Sequence, residues 1–240
     1  KFKDKIIYLK IDKEPIDLYG DMEASKDPIY KRLNSIKRIE QSYDFMMKGI
    51  INASDEDLII ISDNDEIPNL NSNKFKKSNK KFYIFKQLLF YYKFNLLHET
   101  MPWFGSKACK KKYLKSFSNL RNLKNKKYPF WRIDTYFSNL KETSLDIIGD
   151  GGWHFTNIKT PEDLYIKMKN FGHHDEFDES KLTIEDLRKK IDNGLVFYDH
   201  FIDKKSEDKW KGDYKLKRIE NHLLPDYLIK NQNNFKEWFK

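Results

Sequence analysis

A run of four large apolar residues, Leu58-Ile59-Ile60-Ile61, is bounded by polar and acidic residues on both sides. β-branched side chains dominate it, and it is too short for a helix. It reads as a strand buried on both faces, the pattern of the parallel part of an α/β sheet. The surrounding elements extend that reading. Lys5 to Ile11 has the composition of another strand. From Ile29 to Ile51 the apolar residues Ile29, Leu33, Ile36, Tyr43, Met46, Met47 and Ile50 recur at spacings of three and four, which predicts a long amphipathic helix. Asp27-Pro28 is its start signal.

Further along, Phe82 to Leu97 is a β region bent or broken once. Asn119 to Lys127 is expected to be an exposed loop. Leu145 to Ile148 and Trp153 to Thr156 are short strands around a glycine turn. Pro161 to Phe171, Thr183 to Asn193 and Pro225 to Phe239 are expected to be helices. A strand, a long helix, a buried strand and then mixed elements predict an α/β fold with a mixed, mainly parallel central sheet flanked by helices. The 240 residues suit one domain, 1–240.

Composition excludes some classes. No window of about 18 apolar residues exists, so no transmembrane segment is expected in this chain. Cys109 is the single cysteine and has no internal partner for a disulfide. The net charge of +9 comes mostly from dispersed lysines, and the run Lys110-Lys111-Lys112 lacks a nucleic-acid signature. Nucleic acid is therefore not the expected partner. The chain opens on Lys1, directly in strand-like sequence, which suggests a part of a longer protein.

Three segments carry candidate chemistry. In Ser62-Asp63-Asn64-Asp65-Glu66-Ile67-Pro68, three carboxylates follow a strand within four positions. Gathered at a strand's carboxyl end, where open α/β sheets bind ligands, they repel one another unless a cation compensates. A hard divalent cation and a diphosphate would satisfy them. The plainer alternative is a solvated turn in which Asp63 or Asp65 caps a helix. The second segment is Gly149-Asp150-Gly151-Gly152-Trp153-His154-Phe155. Gly151 and Gly152 allow a ligand to approach the backbone or the chain to turn sharply. Trp153 can stack on a sugar, and His154 can ligate a metal or donate to a phosphate; alternatively this is a hairpin with a core Trp and a core His. The third segment, Phe171-Gly172-His173-His174-Asp175-Glu176-Phe177, is either an acid–base cluster or an exposed helix end.

Together these motifs resemble glycosyltransferase family 17, the β-1,4-mannosyl-glycoprotein N-acetylglucosaminyltransferases. Asp63-Asn64-Asp65-Glu66-Ile67-Pro68 after Leu58-Ile59-Ile60-Ile61-Ser62 carries the resemblance. So does Gly151-Gly152-Trp153-His154-Phe155-Thr156, followed by a helix ending in Lys169-Asn170-Phe171-Gly172-His173. Tyr91-Tyr92-Lys93-Phe94-Asn95, Trp103-Phe104-Gly105 and Leu224-Pro225-Asp226-Tyr227-Leu228 are weaker matches in the same order. Arg38 matches an arginine of the pattern, whereas Ser42 and Tyr43 stand where the family has glutamine and arginine.

The resemblance implies a GT-A-like nucleotide-diphospho-sugar transferase fold that here lacks its first N-terminal strands, and metal-dependent, inverting transfer of N-acetylglucosamine from UDP-GlcNAc to a glycan acceptor. Mn2+ or Mg2+ would be held by Asp65 with Asp63 and His154. Asp63, Asp65 and Arg38 would contact the donor. Trp153, Gly151, Gly152, His173, His174 and Glu66 would line the substrate. Asp150 is the first choice for general base and Glu176 the second. The compartment would be the cytoplasm for a bacterial or viral chain, and the Golgi lumen if a membrane anchor precedes these residues. Two other readings remain. A haloacid-dehalogenase-like phosphohydrolase also ends a strand in Asp-x-Asp and carries a later Gly-Asp-Gly. A basic, aromatic-rich domain can also bind glycans or nucleic acid without catalysis.

Overall fold

A computed structural model of the chain describes residues 2–22, 27–170, 174–199, 210 and 213–240, with the side chains of 28 and 174–176 left aside. It divides into two compact units. The first comprises 1–61, 73–84 and 106–148, and the second comprises 62–72, 85–105 and 149–240. The fold is α/β, with helices flanking a mixed sheet.

In the first unit, α1 (Pro28–Met46) begins where the sequence predicts: Asp27 accepts a hydrogen bond from the Ile29 amide at 2.9 Å, and Pro28 sits where a missing N–H costs nothing. A 3-10 turn, Met47–Ile50, follows. Strand β1 (Leu58–Ile61) pairs antiparallel with the far end of β5 (Trp103–Lys110), Leu58 opposite Lys110 and Ile61 opposite Lys107. Its burial alternates: Ile59 and Ile61 are buried, while Leu58 is 39% exposed. That corrects the expectation of a strand covered on both faces. A four-residue apolar run carries too little context to separate a fully buried strand from a half-covered antiparallel one.

Lys5 to Ile11 forms no strand. Lys3–Lys5 is a 3-10 turn, and Ile6, Ile7 and Tyr8 are exposed. The short helix α2 spans Asn73–Lys77. Helix α3 (Phe117–Asn122) occupies half of the expected exposed loop, because Ser116 caps it and Phe117 and Leu120 are buried. Lys107, itself buried, donates to the carbonyls of Arg121 (2.7 Å) and Leu123 (2.6 Å) at the end of that helix.

The second unit holds the larger core. Strand β3 (Phe82–Tyr91) enters it at Phe85, and the positive φ of Tyr92 ends the strand before β4 (Leu96–Leu97). Strand β6 (Leu145–Ile148) belongs to the first unit, where it pairs with β3. In the second unit β2 (Glu66–Pro68) pairs antiparallel with β7 (Gly152–Thr156), and β7 pairs parallel with β3. Strand β4 pairs antiparallel with both β3 and β8 (Lys217–Arg218).

The sheet is therefore mixed but mostly antiparallel, which corrects the mainly parallel expectation. The alternation of β3 separates two apolar clusters. Leu89 and Tyr91 join Leu164, Met168, Phe177, Leu187 and Phe197, whereas Phe90 joins Phe155, Ile219 and Leu224. Helices α4 (Pro161–Asn170), α5 (His174–Ser180) and α6 (Ile184–Asn193) supply the first cluster. Thr183 and Asp186 form a reciprocal cap on α6, and Gly194 ends it in the left-handed region. The expected last helix is shorter, α7 (Asp226–Lys230), followed by 3-10 turns from Gln232 to Trp238 that are kinked at Phe235.

Candidate functional site

The two motif segments that lie far apart in sequence are neighbours in the second unit. In the β2–β7 pair, Glu66 stands opposite His154, Ile67 opposite Trp153 and Pro68 opposite Gly152. The Phe155 amide donates to the Asp65 carbonyl at 2.8 Å, continuing the pairing into the acidic turn. This close pairing requires a glycine at 152. Its φ is +112°, and a β-carbon there would lie 2.1 Å from the Ile67 carbonyl oxygen and 2.7 Å from the Asn69 amide. Gly151 donates to the Lys86 carbonyl and accepts from the Asn69 amide, each at 3.0 Å. The glycines thus bring backbone to backbone.

On the face of the sheet that carries Leu89, the side chains of Glu66, His154 and Trp103 converge. Trp103 Nε1 donates to Glu66 Oε1 at 2.8 Å, and its ring centroid is 4.5 Å from that of His154. The Glu66 carboxylate also accepts from the Asp63 amide at 3.2 Å, and Asp63 accepts at its carbonyl from the Glu66 amide. Glu66 is buried and braces the acidic turn from beneath. Gly105 makes room for it: a β-carbon there would come within 2.7 Å of Glu66 Oε1 and 2.1 Å of Gln87 Oε1. Trp103 and Gly105 entered the sequence reading only through family resemblance.

His154 Nε2 lies 3.3 Å from Asp65 Oδ2. Its Nδ1 is buried and has no hydrogen-bond partner among the described residues. Burial pushes the Asp65 carboxyl up, but the His154 hydrogen bond and charge, a backbone N–H and the charge of Lys167 outweigh it and hold the carboxyl below its usual value. Lys167, on α4, donates to Asn157 Oδ1 at 2.8 Å. Burial lowers its pKa, Lys159 adds to that, and Asp65 opposes it. Lysines are common in this chain, so helical spacing alone gave no signal for this one. The site is thus a part-exposed carboxylate kept ionised beside a histidine and a half-buried lysine, with Asp63 exposed nearby in the same turn.

Other expected site residues are placed differently. Trp153 turns to the opposite face, where Nε1 donates to the Leu223 carbonyl at 2.7 Å and the ring packs on the Phe90 cluster. Asp150 is exposed; its carboxylate accepts from Ser72 Oγ at 2.6 Å and its carbonyl from Asn69 Nδ2 at 3.0 Å. Arg38 belongs to the first unit and pairs with Glu14 at 2.7 Å. His173 lies outside the described residues. His174 and Glu176 fall on α5, but their side chains lie outside the described ones. Among the described residues no group of three or more His, Cys, Asp or Glu side chains is arranged to hold a metal ion. No helix among them is long and apolar enough to cross a membrane. No protein-family model matches the chain, and no curated protein or solved structure is significantly similar to it.

Proposed function

We propose that the chain is a GT-A-type, metal-dependent glycosyltransferase that transfers N-acetylglucosamine from UDP-GlcNAc to a glycan acceptor with inversion. The observation that carries the reading is the Asp65 carboxylate: it follows the first strand of the acidic motif, remains part exposed, and is kept ionised by His154 and Lys167. A manganese or magnesium ion fits this donor set. Such ions are commonly held by one or two carboxylates, with phosphate oxygens and water completing the shell, so a closed cage of protein ligands is not required. When bound, the ion supplies Lewis-acid stabilisation of the negative charge that gathers on the departing nucleoside diphosphate.

The chain's own residues do the rest. Asp65 would hold the ion, with His154 Nε2 orienting that carboxylate through its hydrogen bond, and Asp63 in the same turn would contact the donor. Glu66 keeps the turn in place through Trp103 and the Asp63 amide. Lys167, whose charge acts on Asp65, would add positive charge for a bound diphosphate. Asp150 takes the proton of the acceptor hydroxyl, and Ser72 Oγ, donating to its carboxylate at 2.6 Å, orients it.

The test is transfer from radiolabelled UDP-GlcNAc to a glycan acceptor by Asp65→Ala. Turnover should fall by about a thousandfold or more while the variant stays folded and unfolds in one cooperative transition. Full activity in the variant, or in excess chelator, contradicts the reading. A product of retained α-configuration contradicts the inversion.

A further inference from the structure

In the first unit, the loop from Lys124 to Leu140 is closed at its base by a hydrogen bond from the Lys124 amide to the Leu140 carbonyl, 2.8 Å. It presents Phe130, Trp131, Ile133, Tyr136 and Phe137, each 69–87% exposed. Burying large apolar side chains is the main drive of folding, so five left uncovered in one loop are a recognition surface rather than scattered surface apolar residues.

The charges around them select the partner. The loop carries Lys124, Lys126, Lys127 and Arg132 against a single acid, Asp134. That acid is neutralised by Arg132 Nε and Nη2 within the loop and by Lys141 just beyond it, all at 2.7 Å. Lys127 pairs outward with Asp146 at 2.6 Å. Lys124 and Lys126 are exposed.

We propose that this loop seats the protein on an anionic lipid bilayer, with Trp131 and Phe137 entering the interface and the lysines resting among the headgroups. Trp, Tyr and Phe favour the headgroup level of membranes, and lysines beside them are drawn to anionic lipid. Phe130 and Trp131 pack edge to face, their ring centroids 5.1 Å apart, and the exposed Lys124 and Lys126 of the same loop match an anionic surface. The inference does not rest on the proposed transferase activity.

Co-sedimentation with phosphatidylcholine vesicles, with and without phosphatidylglycerol, tests it. The protein should bind the mixed vesicles and bind neutral ones weakly. Trp131→Ser with Phe137→Ser should weaken binding about tenfold or more while unfolding stays that of the parent. Lys124→Gln with Lys126→Gln should also weaken it about thirtyfold, because each surface lysine contributes roughly 1 kcal/mol of attraction to anionic lipid. No vesicle binding, or binding that both double variants leave unchanged, overturns the proposal. So does a concentration-dependent dimer, abolished by the aromatic variant, in a protein that ignores vesicles; the face would then be an interface between copies.

Discussion

Glu56 and Asp65 are carboxylates on either side of one strand, and they are held ionised in opposite ways. Glu56, exposed in the first unit, accepts from Lys110 at 2.7 Å and from Lys112, and these two bring its carboxyl down to about 2. Asp65, in the second unit, is part buried; burial pushes it up, and only the added effects of His154, a backbone N–H and Lys167 bring it below its usual value. The larger displacement belongs to the plain surface ion pair. A low carboxyl pKa therefore does not mark a site by itself. At Asp65 the placed partners act against burial, where solvent screens charge less than at the surface.

The largest expected effect comes from the backbone that builds the second environment. Gly152→Ala puts a β-carbon against the Ile67 carbonyl and the Asn69 amide, neither of which moves without unpairing β2 from β7. Urea unfolding should show a loss of about 3 kcal/mol or more. Stability equal to that of the parent would mean that the strand pair is not the frame of the site.

His154→Phe tests the partner. It keeps a buried ring, removes the Nε2 contact to Asp65 and removes the unpartnered Nδ1. Turnover should fall about 10- to 100-fold, as when other groups orienting a metal ligand are lost, with little change in stability. Unchanged turnover with lowered stability would reduce His154 to a packing residue.

The smallest effect separates the two carboxylates by acid and salt. Both have lowered folded values, so each contributes stability that is complete above its ordinary value, 4.5 for Glu56 and 3.8 for Asp65, and is lost as pH falls through the folded value. Near neutral pH, Glu56→Gln should cost little, and that cost should vanish in roughly 1 M salt. The cost of Asp65→Asn should persist in salt and fade only in acid. Equal salt sensitivity would erase the distinction between the two environments.

Local features of the fold were legible because they depend on near neighbours. Asp27-Pro28 opens α1, and Thr183 with Asp186 caps α6, each by contacts within a few residues. The acidic turn and the Gly-Gly-Trp-His strand were also legible, but as separate segments. Their pairing joins Glu66 to His154 across a long stretch of chain, and no local pattern encodes it. The direction of the sheet was misread for a similar reason. The run Leu58–Ile61 shows four apolar residues but not the antiparallel partner Lys107–Lys110 that leaves one face part open. Lys167 was missed because its meaning comes from burial and from Asn157. Which of its two readings Trp153 follows was not legible either, because the hydrogen bond to the Leu223 carbonyl that sets its face is distant in sequence.

The central claim is that Asp65 holds a divalent ion, which in turn holds the donor diphosphate. Titration calorimetry of UDP-GlcNAc into the protein, with manganese and then with chelator, addresses it directly. The account predicts saturable binding that requires manganese and that Asp65→Asn weakens about a hundredfold, since a neutral amide is a poor ligand for a hard cation. Equal binding in chelator, or equal binding by the variant in manganese, would contradict it.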